Sequence, residues 1–214
     1  MIKIISVERE YGAGGSEIAQ LLSDRLGWKL WDHLLTEEIA RLAQCPQSVV
    51  QLREEKNDPL YYRLFKSFLH GSFEGSINAH KLKLVDSESI LKITQQVVHH
   101  AASKGKCVIV GRGSQHFLED RDDTLRVFLY APRQDKIRRV IARGKTEREA
   151  EELVDSVDQE RIDFIQRYFH VEWPTRSLYH IMLNTHIGEE LVLQTILDFA
   201  KLLESKPNVV PALP

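Results

Sequence analysis

The chain has 214 residues, 43% of them hydrophobic, with 29 basic and 31 acidic side chains and a net charge of -2. That length and apolar content suit one domain with a sizeable core, and the balanced charge excludes a global electrostatic case for nucleic acid or an anionic membrane. Cys45 and Cys107 lack metal-ligand spacing and suit a reducing, cytoplasmic setting, while no stretch nears the roughly 18 apolar residues of a membrane span and the charged N-terminus does not read as a signal peptide.

Residues 2–7 are apolar and β-branched, which predicts a buried strand. The glycine-rich turn Gly12-Ala13-Gly14-Gly15 follows, and then a helix over 16–26 with Ile18, Leu22 and Leu26 on one face and Gly27 closing it. A brief strand at 29–31 ends at Asp32, and 34–43 has a helical pattern. Cys45-Pro46 interrupts it, and 47–56 reads as a further short helix. Residues 57–85 are irregular, with an amphipathic stretch containing Leu60, Tyr61, Leu64, Phe65, Phe68 and Leu69. The region 57–85 reads as an insert or mobile lobe over the site, with a homodimer surface as the alternative. A helix over 86–100 precedes a buried strand at 107–110, which runs straight into Gly111-Arg112-Gly113. A strand at 125–130, charged helices at 133–143 and 147–170, a short strand at 182–185 and a helix at 188–204 complete the domain, and 207–214 reads as a flexible tail.

Strands alternating with helices predict an α/β fold of three layers, with a mostly parallel sheet between helices. Such sheets bind ligands beyond the C-terminal ends of their strands, where residues 12–16, Asp32 and 111–114 all fall.

A strand, a glycine-rich turn and a helix N-terminus form an anion site in physical terms, because the glycines allow close backbone approach and the first N–H groups point at the ligand. Ser16 can cap the helix, reach a phosphate oxygen or bind a metal. A plain tight turn is the bland alternative. Two phosphate motifs compete. The P-loop pattern Gly-x-x-x-x-Gly-Lys-Ser/Thr fits Gly14 and Ser16 but meets Arg9 in place of its first glycine and Gly15 in place of its lysine. The dinucleotide pattern Gly-x-Gly-x-x-Gly fits Gly12 and Gly14, with Asp32 where a ribose-binding acid would stand, but meets Glu17 at its third glycine.

Arg112, between two glycines at a strand end, is a candidate bidentate phosphate partner, with a surface ion pair as the alternative. Arg133, Arg138, Arg139, Arg143, Arg148 and Arg161 form a second basic series among acidic neighbours. Solvated helix surface is the default reading for most of them; mobile arginines over a phosphate site are the alternative, as one way to supply the charge neutralisation that phosphoryl transfer requires. The nine histidines show no metal spacing.

Several ordered pieces now stand together. They are Arg9-Glu10-Tyr11-Gly12-Ala13-Gly14-Gly15-Ser16-Glu17-Ile18-Ala19, Trp31-Asp32, Val110-Gly111-Arg112-Gly113, and Phe128-Leu129-Tyr130-Ala131-Pro132 with Arg138-Arg139. Asp158, Arg161, Tyr168, Trp173, Tyr179 and Leu183-Asn184-Thr185 follow. In order and spacing the chain resembles the cytidylate-kinase-like family, a nucleoside monophosphate kinase branch of the P-loop kinases, and this displaces the dinucleotide reading.

The resemblance implies a single kinase-like domain over 1–206, with a parallel core, an acceptor lobe at about 34–100 and a lid at about 140–170. It implies phosphoryl transfer from ATP, with Mg²⁺, to a nucleoside monophosphate such as CMP or dCMP. Arg9, Gly12, Ala13, Gly14, Gly15 and Ser16 would hold the donor phosphates, with Ser16 also on the metal. Asp32 and Arg112 would serve the acceptor, and Arg139, Arg143 and Arg161 would act on the transferring phosphoryl. The loop departs from its relatives at Gly15, at Ser16 (where many carry arginine) and at Glu8 (where serine is common). Arg9 or a lid arginine is one source of the missing charge. Phosphorylation of another small molecule and non-catalytic nucleotide binding are the alternatives.

Overall fold

Side chains alternate across a strand, so a strand covered on both faces must be apolar at successive positions. Residues 107–110 meet that condition, and residues 4–7 meet it except at Ser6, whose buried hydroxyl shares a hydrogen bond with that of Ser114 at 2.8 Å; both become inner strands of the sheet. The computed structural model describes residues 1–42 and 87–205. The expectations for a short helix at 47–56, for an insert, mobile lobe or homodimer surface at 57–85, for most of the acceptor lobe and for the 207–214 tail lie outside them.

The strands are β1 (Ile4–Arg9), β2 (Lys29–Trp31), β3 (Cys107–Val110), β4 (Thr124–Tyr130) and β5 (Ile181–Asn184). They form one sheet in the order β2-β3-β1-β4-β5, every pairing parallel. The helices are α1 (Gly15–Leu26), α2 (His33–Leu42), α3 (Ser87–Lys104), α4 (Ser114–Phe117), α5 (Arg133–Ala142), α6 (Glu147–Phe169) and α7 (Glu189–Ser205). On one sheet face Ile5, Val7, Val108 and Val110 pack with Ile18 and Leu22 of α1 and Val192 and Ile196 of α7. On the other, Ile4, Cys107 and Ile109 pack with Leu35 and Ile39 of α2 and Val97, Val98 and Ala101 of α3. This is the expected three-layer α/β arrangement.

Most boundaries differ from the sequence reading by a residue or more, and two of the differences bear on the site. β1 runs on through Glu8 and Arg9, because both pair in register with Phe128 and Leu129 of β4. Burying Glu8 in the sheet is tolerable because Gln115 Nε2 donates to its Oε2 at 3.0 Å. Thr185 leaves the last strand for a 3-10 turn, Thr185–Ile187, started by Asn184 Oδ1 accepting from the His186 N–H at 3.0 Å. Gly27 closes α1 as expected, in the left-handed conformation at φ 64°.

Candidate active site

The loop between β1 and α1 is built on glycine geometry. Gly12 and Gly14 have φ of 74° and 77°, a region that L side chains rarely enter. A Cβ on Gly12 would also meet the Lys136 carbonyl oxygen at 2.9 Å, so α5 packs directly on the loop. Gly14 is the N-cap of α1 and, among the described residues, no side chain caps that helix. Ser16 therefore does not fill the capping role that was open to it. Its hydroxyl instead donates to Asp32 Oδ2 at 3.0 Å, joining the loop to the end of β2.

Thr185 supports the loop from beyond β5. Its hydroxyl donates to the Ala13 carbonyl at 2.8 Å, and Arg139 grips the same threonine through Nη1 to Oγ1 and Nη2 to the carbonyl, each 3.0 Å. Arg139 thus lies beside the loop, with its Nη1 also 3.4 Å from the Gly12 carbonyl. Arg143, the residue that closes α5, pairs with Glu17 of α1.

On the inner side Glu8, Arg9, Asp32 and Arg112 are all buried. This rules out the surface ion pair weighed for Arg112. Burial pushes the Arg112 guanidinium down to about 9, helped by the charge of Arg9 and opposed by that of Asp32. Burial likewise lowers Arg9, with Arg161 adding to the effect. Gly111, Arg112 and Gly113 all adopt positive φ (65°, 61° and 67°), so the chain turns sharply at the end of β3. β3 is the neighbour of β1, which sets this turn beside the phosphate loop.

The third wall comes from α6. Asp158 Oδ1 accepts from the Tyr11 backbone N–H at 2.8 Å and from Arg161 Nη1 at 3.0 Å, and its Oδ2 accepts from Lys136 Nζ at 3.3 Å. Arg161 Nη1 also donates to the Arg9 carbonyl at 2.7 Å. Lys136 Nζ lies 3.0 Å from Glu10 Oε2. Tyr11 is buried in an apolar cluster with Ile137, Val140, Ala150, Val154 and Val157.

The sequence-predicted residues Arg9, 12–16, Asp32, Arg112, Arg139 and Arg161 therefore all abut the loop or the turn beside it, while Arg143 stands further out. Sequence reasoning missed Lys136 and Gln115, and it quoted Glu10, Asp158 and Thr185 only as pieces of the family resemblance, with no role. Only Asp158 carried a local signal: it lies three residues before Arg161, on the same helix face.

Ser16 and Asp32 offer two hard oxygen atoms beside the glycine loop. That fits Mg²⁺, which takes one or two protein oxygens and completes its octahedron with water and phosphate.

A parallel sheet with a glycine loop after its first strand and buried arginines around it defines a nucleotide-type, kinase-like α/β protein. The profile of the cytidylate kinase-like family matches residues 4–187, and the chain belongs to that family. Among curated proteins nothing matches significantly. Among solved structures, an uncharacterized protein from Eubacterium ventriosum is similar at 18% identity and TM-score 0.66, over 96% of this chain and 100% of that one. Shikimate kinase from Acinetobacter baumannii is similar at 17% identity and TM-score 0.52, over 96% of this chain and 97% of the other. Both likenesses are of fold. Among the described residues no helix is long and apolar enough to cross a membrane.

Proposed function

We propose that the chain is a cytoplasmic, ATP- and Mg²⁺-dependent kinase whose acceptor is a nucleoside monophosphate, CMP or dCMP first. The observation that carries this is the junction of the donor loop with the turn bearing Arg112. Two anion-directed elements sit on adjacent strand ends, with the buried cations Arg9 and Arg112 between them.

In this reading the backbone of residues 12–16 and the N-terminus of α1 hold the donor phosphates. Ser16 and Asp32 hold Mg²⁺, which when bound neutralises charge on the phosphate oxygens. Arg112 takes the acceptor phosphate, for which a guanidinium fork is suited. Arg161 faces the transferring group, supported by Asp158, while Arg139 and Arg143 flank it from α5. Charge supplied by fixed groups in a site that excludes water is the main catalytic resource for phosphoryl transfer. The acceptor lobe at about 34–100 and the lid at about 140–170 belong to this reading.

The test is ADP release from ATP and Mg²⁺ with CMP, dCMP, UMP, AMP and GMP in turn. Acceptor-dependent turnover is expected, fastest with CMP or dCMP. No turnover with any of them refutes the nucleotide-kinase reading, and turnover only with some other small-molecule acceptor replaces the substrate. Gly15, standing where a P-loop kinase has its lysine, favours a second reading: nucleotide binding without transfer. Tight ATP binding by calorimetry without turnover would select it.

A further inference from the structure

The loop has no lysine at position 15, and the reason lies at position 9. We propose that these two positions have exchanged roles, so that Arg9 supplies the phosphate-facing cation and Gly15 is glycine to let its side chain pass. In a P-loop the first glycine would stand at 9 and the lysine at 15.

Unlike Gly12 and Gly14, Gly15 does not have a positive φ, so its backbone conformation is open to any residue. What excludes a side chain is space. A Cβ on Gly15 would lie 2.6 Å from Arg9 Cγ, 2.7 Å from its Cβ and 3.3 Å from its Cδ. These are the near, anchored atoms of the arginine, fixed to a strand paired with its neighbours on both sides. They cannot swing away as a chain end can. The rest of the side chain continues to the turn after β3, where Nη1 lies 2.2 Å from the point a Gly111 Cβ would occupy. Arg9 therefore runs beneath the donor loop from Gly15 to Gly111, and its guanidinium ends at the junction of the donor loop and the acceptor turn. Glu8 Oε1 lies 3.6 Å from Nη1, and the charges of Asp32 and Glu8 both favour the charged guanidinium against the cost of its burial. A lysine at 15 and an arginine at 9 would compete for one channel, so the loop carries one or the other.

The inference deepens the kinase reading and rests on it for the identity of the anion. It is tested with the full chain, with ATP·Mg²⁺ binding followed by calorimetry and folding by Tm. Arg9→Met keeps the stem and removes the charge. It should fold and weaken ATP binding about tenfold or more, the scale of a lost charge-assisted contact. Gly15→Lys alone should lower Tm and also weaken binding. The double variant Arg9→Gly/Gly15→Lys restores the ordinary P-loop pair and should bind within about threefold of the parent. Gly15→Ala should lower Tm in the parent but not in an Arg9→Gly background, a readout independent of any ligand. Parent-like binding by Arg9→Met, or a double variant no better than Gly15→Lys, overturns the exchange and leaves the kinase reading standing. A parent chain that binds no nucleoside triphosphate overturns both the kinase reading and the phosphate-facing role of Arg9.

Discussion

At Arg112 the backbone has φ 61°, a conformation that costs an L residue about 1 kcal/mol or more. The cost is borne at a buried site where the guanidinium is itself destabilised, and backbone strain of this kind gathers at functional positions. Two substitutions separate the backbone from the charge. Arg112→Ala removes the guanidinium and keeps the φ penalty, whereas Arg112→Gly removes both. The glycine variant should be the more stable by about 1 kcal/mol in denaturant unfolding. Both should raise the acceptor KM tenfold or more and leave the ATP KM unchanged. Equal stability of the two would discard the strain argument, and an unchanged acceptor KM would remove Arg112 from the acceptor site. The candidacy of Arg112 was legible because glycines on both sides of an arginine at a strand end are a local signal. The channel beneath Gly15 was not, since it depends on where a side chain from another strand position turns.

Between elements, the contact that most shapes the site joins α6 to the loop. The sequence reading gave α6 only as a charged helix, and its Ala150, Val154 and Val157 face inward. What they face is not local information: Tyr11 comes from the loop itself, 139 positions before Ala150 in the numbering. Asp158 completes the joint with acceptor oxygens for the Tyr11 N–H, Arg161 and Lys136. Asp158→Ala leaves a buried amide and an ammonium short of a partner, so it should cost about 2–4 kcal/mol of unfolding free energy. Asp158→Asn keeps an Oδ1 acceptor for the Tyr11 N–H and Arg161 but gives up the charge opposite Lys136 and Arg161 and the Oδ2 acceptor for Lys136, so it should destabilise, by less than alanine. Hydrogen exchange at the Tyr11 amide is the discriminating measurement. It should speed up in the alanine variant and stay protected in the asparagine variant, and equal protection in both would show that Asp158 does not hold the loop. The same scale explains what was missed. α4 and the 3-10 turns at Arg176–Leu178 and Thr185–Ile187 span four and three residues, too short to display a period, yet α4 carries the Gln115 that offsets the cost of burying Glu8.

Over the whole molecule, the order β2-β3-β1-β4-β5 gathers the ends of β1, β2 and β3 along one edge of the sheet. That is why segments far apart in sequence, 12–16, Asp32 and 111–114, meet as the alternation of strands and helices predicted. A ligand at that edge ties α1, β2 and β3 together, so its binding free energy becomes stability of the entire domain. Nucleotide at about 100 times its Kd should add about 2.7 kcal/mol, which for a chain of this size raises Tm by roughly 5–10 °C. The bond between Ser16 and Asp32 divides this shift into two parts. If these two oxygens hold Mg²⁺, chelating the metal should remove part of the ATP-induced rise in the parent chain. In Asp32→Ala the residual rise should be the same with and without Mg²⁺, because the glycine loop and Arg9 still hold the phosphates. Differential scanning calorimetry of the two chains, with ATP in the presence of Mg²⁺ or EDTA, reads both parts. A Tm rise in Asp32→Ala that still depends on Mg²⁺ would move the metal away from Asp32, and a parent chain whose Tm ignores ATP altogether would empty the loop of its assigned ligand.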